Sequence, residues 1–279
     1  MNIQWYPGHM AKAVRLMKQQ LSNVDIVLVV GDARAVKASV NMDFIRVLGN
    51  KKYIKVFNKA CLADEKINEE WLEFYKKSSQ KVFFTDCMSK YGIPQLTQYL
   101  SSLKDKLRFS REIRVMVTGV PNVGKSMLIN TIAGRAAAVT ENRPGVTRAN
   151  KWIKCQGFYL LDTPGVLPAK IDSEKDAVAL AAIGSIKETV FDAEQVSFEI
   201  IKFLMENYHQ NLVERYSLDE MDHDYLSVYE NIGRKRGFIK KGGGIDYERL
   251  SAAILKEAGS SLIARISFDR PEDMTCNLK

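Results

Sequence analysis

A glycine-rich loop between a strand and a helix constrains this chain more than any other feature of its sequence. The loop Gly119-Val120-Pro121-Asn122-Val123-Gly124-Lys125-Ser126 follows an apolar run that begins at Ile113, and the apolar run after it stops at Gly134. Its glycines let the backbone turn tightly, so that successive N–H groups and the positive end of the new helix converge on phosphate oxygens. A strand, a Gly-x-x-x-x-Gly-Lys-Ser loop and a helix in this order predict a nucleotide-phosphate site.

The residues of this phosphate loop have separate expected roles. We expect Lys125 to reach the outer phosphates as the catalytic cation of the loop, and Ser126 to hold a magnesium ion. The alternative, a Gly-rich turn with an exposed lysine, is disfavoured by the strand and the helix on either side. The residues expected to bind nucleotide here are Pro121, Asn122, Val123, Gly124, Lys125, Ser126 and Met127.

The composition is that of a globular chain with room for two domains. It has 279 residues, of which 46% are hydrophobic, and no apolar run approaches the length of a membrane span. The opening residues do not resemble a signal or transit peptide, so we expect a cytoplasmic protein. The four cysteines are far apart and include no Cys-x-x-Cys pair, which indicates neither a zinc site nor a disulfide framework.

The net charge of +8 is unevenly placed along the chain. Residues 1–170 hold 27 Lys and Arg against 13 Asp and Glu, whereas residues 171–279 hold 14 against 20. A basic first part favours a polyanionic partner, with RNA ahead of a membrane because no basic amphipathic helix with a continuous apolar face stands out. Ordinary solvated lysines and arginines explain the same excess equally well.

Strands and helices alternate through residue 170, which predicts an α/β fold with a doubly wound, largely parallel sheet. Asp64 is the expected N-cap of one of the helices. From residue 172 onward the strand signal disappears, and a small all-helical domain is expected in 171–279. The expected strands lie at 24–31, 53–57, 81–85, 151–155 and 158–161 and after Ile113, and the expected helices of the second domain at 174–187, 192–209, 218–231 and 246–258.

Three further motifs indicate which nucleotide the phosphate loop binds. Asn58-Lys59, after a strand, resembles the guanine-reading Asn-Lys-x-Asp motif of GTPases. Asp162-x-x-Gly165 resembles the magnesium-linked switch motif, whose glycine N–H senses the terminal phosphate, and Thr147 would complete the magnesium shell. The base-reading motif precedes the phosphate loop, so these motifs together predict a circularly permuted P-loop GTPase domain in residues 1–170.

The opening Trp5-Tyr6-Pro7-Gly8-His9-Met10, the permuted motifs, and the closing segments around Arg236-Gly237 and Phe268-x-Arg270-Pro271 extend this resemblance over nearly the whole chain. The sequence resembles the ribosome-biogenesis GTPase A family. The resemblance implies a monomeric cytoplasmic GTPase that uses GTP, GDP and Mg²⁺. It also implies binding to the large ribosomal subunit precursor and its late maturation, with a helical domain that contacts ribosomal RNA.

The base-reading positions depart from that family in two places. Cys61 stands where the motif has its aspartate, and a thiol is a poor acceptor for two guanine donors. Losing this charge-assisted pair of hydrogen bonds would weaken guanine binding by roughly 2–4 kcal/mol. Asp64 could compensate, although its role as a helix cap is favoured. Asp86-Cys87 replaces the usual Ser-Ala of the base-stacking loop, where a backbone N–H contact to the guanine oxygen would survive.

Val166 follows the switch motif at the position where many GTPases have a glutamine that orients the attacking water. Its apolar side chain predicts a low intrinsic rate until a partner or an ion supplies that positioning. The resemblance implicates His9 in hydrolysis, with a surface or capping histidine as the equal alternative. It also suggests a potassium ion held by Asn122, with a simple loop hydrogen bond as the alternative.

Two functions from different classes fit the sequence. The preferred function is a GTP-hydrolysing ribosome assembly factor whose nucleotide state sets its ribosome affinity. The alternative is an RNA-associated nucleotide-binding scaffold with relaxed base selectivity and little hydrolysis. Cys61 and Val166 are the residues that support this alternative. The basic turn at 234–241 is expected to contact RNA phosphates, with a solvated loop as its alternative, whereas His209 and His223 are expected to be exposed helix residues without a metal.

Overall fold

The computed structural model describes residues 8–106, 111–134, 152–171, 173–219 and 222–274. Within these ranges the sheet contains β1 (Ile26–Asp32), β2 (Tyr53–Asn58), β3 (Val82–Phe84), β4 (Ile113–Gly119), β5 (Trp152–Lys154) and β6 (Phe158–Asp162). The strand order is β3-β2-β1-β4-β6-β5. Only β5 runs antiparallel to its neighbour among these strands, and the predicted doubly wound, mostly parallel sheet is confirmed.

The central strand β1 pairs with β2 on one side and with β4 on the other, both in parallel. All of its residues are buried, as expected for a strand covered on both faces. Because β2 leads into Asn58-Lys59 and β4 leads into the phosphate loop, both motifs emerge from the same edge of the sheet. The permuted chain order therefore leaves the strands beside each other.

Helices cover the two faces of the sheet and form the region after residue 173. Their bounds are α1 (Gly8–Gln20), α2 (Met42–Leu48), α3 (Glu65–Lys77), α4 (Ile93–Lys106), α5 (Lys125–Ala133), α6 (Glu174–Ala182), α7 (Ala193–Asn207), α8 (His209–Tyr216), α9 (Tyr225–Lys235) and α10 (Tyr247–Gly259). The helical region is built around α7, which packs on α6, α8, α9 and α10. None of the helices described is long and apolar enough to cross a membrane.

The predicted boundaries are wrong in two parts of this helical region. The helix expected at 174–187 ends at Ala182, because Gly184 takes a positive φ of 74° and turns the chain. The helix expected at 218–231 begins only at Tyr225, where Asp224 accepts the N–H of Ser227 as an N-cap. A separate helix, α8, lies before it and ends at Tyr216, with Ser217 as its C-cap in a left-handed conformation at a φ of 52°.

The helical region packs directly against the carboxyl edge of the sheet. The N–H of Phe268 donates to the carbonyl oxygen of Arg34 at 2.7 Å, just after β1. The hydroxyl of Ser261 donates to the carbonyl oxygen of Leu62 at 2.8 Å, just after β2. The loops that leave β1 and β2 therefore lie between the sheet and the helices.

Candidate nucleotide-binding site

The phosphate loop joins β4 to α5 and has the conformation that its glycines permit. Gly124 precedes the first turn of α5 with a φ of 89°, a left-handed conformation that favours glycine. The predicted base-reading motif, residues 58–61, is here called the base-reading segment. A Cβ added at Gly124 would lie 2.4 Å from Nδ2 of Asn58, so the phosphate loop approaches this segment too closely for any side chain at position 124. The helix α5 stops at Gly134, as predicted, and Gly134 has a left-handed φ of 64°.

Lys125 lies at the start of α5 with its ammonium turned into the loop. Its Nζ donates to the carbonyl oxygen of Val120 at 2.8 Å, and the residue is 8% exposed. Burial lowers the pKa of Lys125 to about 8, although the nearby Asp162 carboxylate opposes this shift. A cation held inside a loop of backbone N–H groups is the arrangement that the sequence predicts for binding phosphates.

Asn58 and Lys59 both contact the phosphate loop. Asn58 is buried, and its Nδ2 donates to the carbonyl oxygen of Val123 at 3.0 Å. The Lys59 ammonium donates to the carbonyl oxygen of Asn122 at 2.7 Å, from a residue with a left-handed φ of 60°. The base-reading segment is thus joined to the phosphate loop by two side chains of adjacent residues.

The loop after β3 completes this side of the site. The Cys87 thiol is buried and donates to Oδ1 of Asn58 at 3.2 Å, and burial raises its pKa to about 11. Asp86 is also buried, and its Oδ1 accepts the backbone N–H of Ser89 at 2.8 Å and the Ser89 hydroxyl at 3.0 Å. The sequence predicted that Asp86 and Cys87 lie beside the base; Cys87 contacts Asn58, whereas the Asp86 carboxylate contacts Ser89 within its own loop.

Cys61 is exposed, with its Sγ 3.3 Å from the hydroxyl oxygen of Ser89. Asp64 does not replace it as a carboxylate, because Asp64 is the N-cap of α3 and accepts the N–H of Lys66 at 3.0 Å. Its second oxygen accepts the hydroxyl of Tyr208 at 3.3 Å. The predicted capping role of Asp64 is confirmed, so Asp64 does not supply the carboxylate that Cys61 lacks.

Oxygen atoms of Ser126 and Asp162 meet at the end of β6. The Ser126 hydroxyl donates to Oδ2 of Asp162 at 2.9 Å. Oδ1 of Asp162 is buried and has no hydrogen-bond partner within the described ranges. Magnesium prefers hard oxygen ligands from hydroxyls and carboxylates, so this pair and its unpartnered oxygen fit the predicted metal site.

The switch segment after β6 touches the phosphate loop at Gly165. A Cβ at this position would lie 2.8 Å from Cα of Pro121 and 3.0 Å from Nζ of Lys125, so only glycine fits. The next residue, Val166, is 2% exposed and donates its N–H to the carbonyl oxygen of Gly119 at 3.1 Å. A buried apolar side chain at this position does not orient a water molecule.

Asp32 and Arg34 form a buried ion pair that the sequence analysis missed. Asp32 ends β1 and Arg34 follows the strand; they are 0% and 1% exposed, with Nη2 of Arg34 2.7 Å from Oδ2 of Asp32. The Lys59 ammonium lies 3.1 Å from the same oxygen. Burial alone would raise the pKa of Asp32, but the two cations outweigh it and hold the pKa at about 2. The available signal was an acid and a base two residues apart at the end of a buried strand.

The turn after α6 contacts the phosphate loop from the helical side. Nδ2 of Asn122 donates to the carbonyl oxygen of Gly184 at 2.6 Å. The hydroxyl of Ser185 donates to the carbonyl oxygen of Pro121 at 2.8 Å. The Asn122 side chain therefore makes a hydrogen bond to the helical region, and its predicted role with potassium stays a prediction.

Several predicted residues lie outside the site as described. Thr147 is outside the described residues, and His9 lies in the first turn of α1 with a side chain that is also outside them. Met127 is in the first turn of α5 and partly exposed. His209 begins α8, and its ring lies 6.0 Å from that of His223. No group of three metal-binding side chains occurs among the described residues.

The basic turn after α9 is partly neutralised by the helical region. Arg234 pairs with Glu230 at 2.7 Å, and Arg236 pairs with the buried carboxylate of Glu257. The remaining cations are exposed; they are Lys235, Lys240 and Lys241. The lysines are therefore the part of this turn that is available to a polyanion.

Comparison with known proteins places these features in a family. A family model described as 50S ribosome-binding GTPase matches residues 114–230. Proteins named ribosome biogenesis GTPase A from Priestia megaterium and Thermotoga maritima are each 36% identical over 98% of this chain, with 98% and 96% of their own lengths covered. Mitochondrial ribosome-associated GTPase 1 from Bos taurus is 32% identical, with 96% of this chain and 88% of that one covered.

Solved structures give the same result. A GDP-bound structure of YlqF has a TM-score of 0.68 at 31% identity, with 93% of this chain and all of that chain covered. The crystal structure of GNP-bound YlqF from T. maritima has a TM-score of 0.63 at 32% identity, with 94% and 99% covered. The two regions of this chain thus have counterparts in proteins solved with a guanine nucleotide or its analogue.

Proposed function

The chain belongs to the ribosome biogenesis GTPase A family, and on this premise we propose that it hydrolyses GTP as an assembly factor of the large ribosomal subunit. Its nucleotide state sets its affinity for the subunit precursor and thereby promotes late maturation. The observation that carries this function is the junction of the base-reading segment with the phosphate loop. Asn58 and Lys59 donate to Val123 and Asn122 of that loop at 3.0 and 2.7 Å.

This junction supports binding of a whole guanine nucleotide. Asn58 connects the loop after β3 to the phosphate loop, since it accepts from the Cys87 thiol at 3.2 Å and donates to the carbonyl oxygen of Val123 at 3.0 Å. A nucleotide with its phosphates at Lys125 therefore places its base towards Cys61 and Cys87. Mg²⁺, when bound, neutralises charge on the outer phosphates, and Ser126, Asp162 and Thr147 are its proposed protein ligands.

Hydrolysis is proposed to be slow without the ribosome. Val166 is buried and cannot orient the attacking water, so another group has to do so. His9 is the proposed group, and potassium at Asn122 is a proposed source of further charge compensation. We propose that a ribosomal partner stabilises His9 and the potassium ion in the positions that hydrolysis requires.

Switching is proposed to pass from the nucleotide to the helical region. Gly165 touches Pro121 and Lys125, so an added terminal phosphate acts on the segment that leads into α6. We propose a GTPase domain over residues 1–170 and a ribosome-binding helical domain over residues 171–279. The exposed lysines of the basic turn are proposed to bind ribosomal RNA, and the protein is proposed to act as a cytoplasmic monomer.

Ribosome-stimulated hydrolysis tests the proposed function. We expect GTP turnover by the purified chain to rise in the presence of large-subunit precursors and to rise less with mature subunits. Binding to these particles is measured in parallel with GDP and with a non-hydrolysable GTP analogue. No stimulation and no nucleotide-dependent binding with any precursor would refute the assembly function.

A nucleotide-binding scaffold is the second candidate, and two observations favour it. Cys61 provides no carboxylate for guanine, and the apolar side chain of Val166 is only 2% exposed. For such a scaffold, GTP, XTP and ATP bind with similar affinity and particle binding does not depend on the nucleotide. Measuring the three affinities together with particle binding separates the two functions.

A further inference from the structure

We propose that Asp32 is a positioning residue for guanine-nucleotide binding: it holds Lys59 against the phosphate loop and is itself oriented by Arg34, which in turn contacts the helical region. This inference rests on the proposed nucleotide site. It identifies a chain of side-chain contacts, called the link below, through which the helical region would affect nucleotide binding at that site. The link runs from the phosphate loop through Lys59, Asp32 and Arg34 to the end of α10.

The first part of the link is the contact between Asp32 and Arg34. The guanidinium meets the carboxylate in a fork, with Nε 2.9 Å from Oδ1 and Nη2 2.7 Å from Oδ2. The backbone N–H of Arg34 also donates to Oδ1, at 3.1 Å. A bidentate pair fixes the plane of the carboxylate, because two parallel hydrogen bonds define its orientation.

The second part is the position of Lys59 between two acceptors. Its Nζ is 3.1 Å from Oδ2 of Asp32 and 2.7 Å from the carbonyl oxygen of Asn122. Lys59 has a left-handed φ of 60°, a narrow allowed region for a residue with a side chain, so its backbone cannot readily shift to reposition the ammonium. The carboxylate therefore sets where the ammonium meets the phosphate loop.

The third part is the hold that the helical region has on Arg34. Nη1 of Arg34 donates to the carbonyl oxygen of Gly259, the last residue of α10. The carbonyl oxygen of Arg34 accepts the N–H of Phe268 at 2.7 Å. Asp32 and Arg34 are almost fully buried, so water does not separate them. A shift of α10 would therefore move Arg34, Asp32 and Lys59 through direct contacts between packed side chains.

A positioning role differs from a purely structural one in its coupling to Lys59. If Asp32 acts through Lys59, removing the ammonium has no further effect once the carboxylate is gone. If Asp32 only stabilises the fold, the two changes have independent effects on nucleotide affinity. A double-mutant cycle therefore distinguishes the two roles.

The test uses the full chain and a fluorescent GDP analogue. Asp32→Asn alone leaves two cations without a counter-charge, so the main variant is Asp32→Asn with Arg34→Met, which removes one charge of each sign. Lys59→Met is made in the wild type and in this double variant. The matched control is Lys37→Met, which removes another ion pair to the helical region, with Asp176 at 2.8 Å, from the same loop after β1.

We expect the double variant and Lys59→Met each to weaken GDP binding on the order of tenfold, and the triple variant to bind no more than about twofold more weakly than either. Lys37→Met keeps wild-type affinity. Equal affinity of the double variant and the wild type, or full additivity in the triple variant, would overturn the inference while the wild type still binds GDP. A wild type that does not bind GDP refutes the proposed function itself.

Thermal unfolding of every variant is followed with and without GDP, so that loss of the fold is recognised. If the double variant does not fold, Arg34→Lys takes its place, because lysine keeps the charge beside Asp32 but loses the fork and the reach to Gly259. We then expect GDP binding about threefold weaker, and a smaller effect of Lys59→Met in that background. Unchanged affinity of Arg34→Lys would also overturn the inference.

Discussion

The side-chain amide of Asn122 donates a hydrogen bond to the carbonyl oxygen of Gly184 at 2.6 Å. Asn122 belongs to the phosphate loop and Gly184 to the turn that ends α6, so this bond joins the nucleotide site to the helical region. The neighbouring Ser185 hydroxyl donates to Pro121 at 2.8 Å. The helical region thus contacts the phosphate loop directly. It is also joined to the sheet by the chain segment that runs from Val166 into α6.

Removing the Asn122 amide should loosen the phosphate loop. We expect Asn122→Ala to lower the free energy of unfolding by about 1 kcal/mol, the typical net value of one hydrogen bond. We also expect GDP to dissociate several-fold faster, because the loop loses a tether to the helical region. Stopped-flow release of a fluorescent GDP analogue measures this rate.

The control for this change is Asn207→Ala. The Asn207 amide makes the same kind of bond, to the carbonyl oxygen of Phe203 at 2.9 Å, but within α7 and on the surface. Its loss should affect stability alone. Equal GDP release rates in the two variants would contradict a tether at Asn122.

Introducing a carboxylate at position 61 should strengthen guanine recognition. Cys61 is exposed, so a new aspartate there remains ionised and accepts two guanine donors. Hydrogen bonds to a charged group contribute about 1.5–3 kcal/mol, so we expect Cys61→Asp to bind GDP at least about tenfold more tightly relative to XDP. Competition titrations with GDP, XDP and ADP measure the change.

Cys61→Ser is the control for this prediction, because it changes the polarity of the group without adding a charge. It should leave the ratio of GDP to XDP affinity close to that of the wild type. If Cys61→Asp also leaves that ratio unchanged, Cys61 is not the residue that reads the base.

The sequence predicted the parts of the site that are encoded locally. Gly124 and Lys125 follow a pattern whose backbone geometry and chemistry are set within a few residues, and Asp64 caps α3 because it directly precedes an amphipathic run. The parallel sheet followed from the alternation of apolar strands with helices. These features depend on neighbours in the chain and could therefore be read from it.

The features that sequence analysis missed depend on distant contacts. Arg34 meets Gly259 and Phe268, more than 220 residues away, and no local pattern shows that pairing. The break between α8 and α9 falls at Ser217, a residue without the positional preference of glycine for a left-handed φ. The sequence therefore did not predict α8 as a separate helix, and it placed the start of α9 at residue 218 instead of at Tyr225.

Gly165 should tolerate no side chain. A Cβ there would meet Pro121 Cα at 2.8 Å and the backbone nitrogen of the same residue at 2.9 Å, so the phosphate loop has to move. We expect Gly165→Ala to reduce GTP turnover by at least about tenfold, because the switch segment can no longer approach the terminal phosphate. The affinity for GDP should change less than the affinity for a GTP analogue.

Gly244→Ala is the matched control, since a Cβ at Gly244 has no atom within 4 Å. This variant should hydrolyse GTP at the wild-type rate. Full turnover by Gly165→Ala would show that the switch segment does not need its close approach to Pro121.

Asp269 should make the stability of the protein depend on pH. It is buried with its Oδ2 accepting the N–H groups of Lys37 and Ala38, and its Oδ1 has no hydrogen-bond partner among the described residues. Burial raises its pKa from an ordinary 3.8 to about 7, and the carboxylates of Asp273 and Asp176 act in the same direction. The two N–H donors oppose the shift without cancelling it.

The sign of the effect follows from proton binding. Between pH 4 and pH 7 the folded state keeps a proton on Asp269 that the unfolded state has lost, so acidification through this window stabilises the fold. Above pH 7 both states are ionised, and the buried charge costs up to about 4 kcal/mol. Asp269→Asn keeps an acceptor for the two N–H groups but carries no charge.

We therefore expect the stability of Asp269→Asn relative to wild type to be greatest at pH 8 and to diminish as the pH falls towards 5. Urea unfolding of both proteins at several pH values measures the difference, and the other titrating groups cancel because they are common to both. A difference in unfolding free energy that stays constant from pH 5 to pH 8 would show that Asp269 is ionised in the fold throughout. In that case the backbone N–H groups of Lys37 and Ala38, and not a retained proton, stabilise the buried carboxylate.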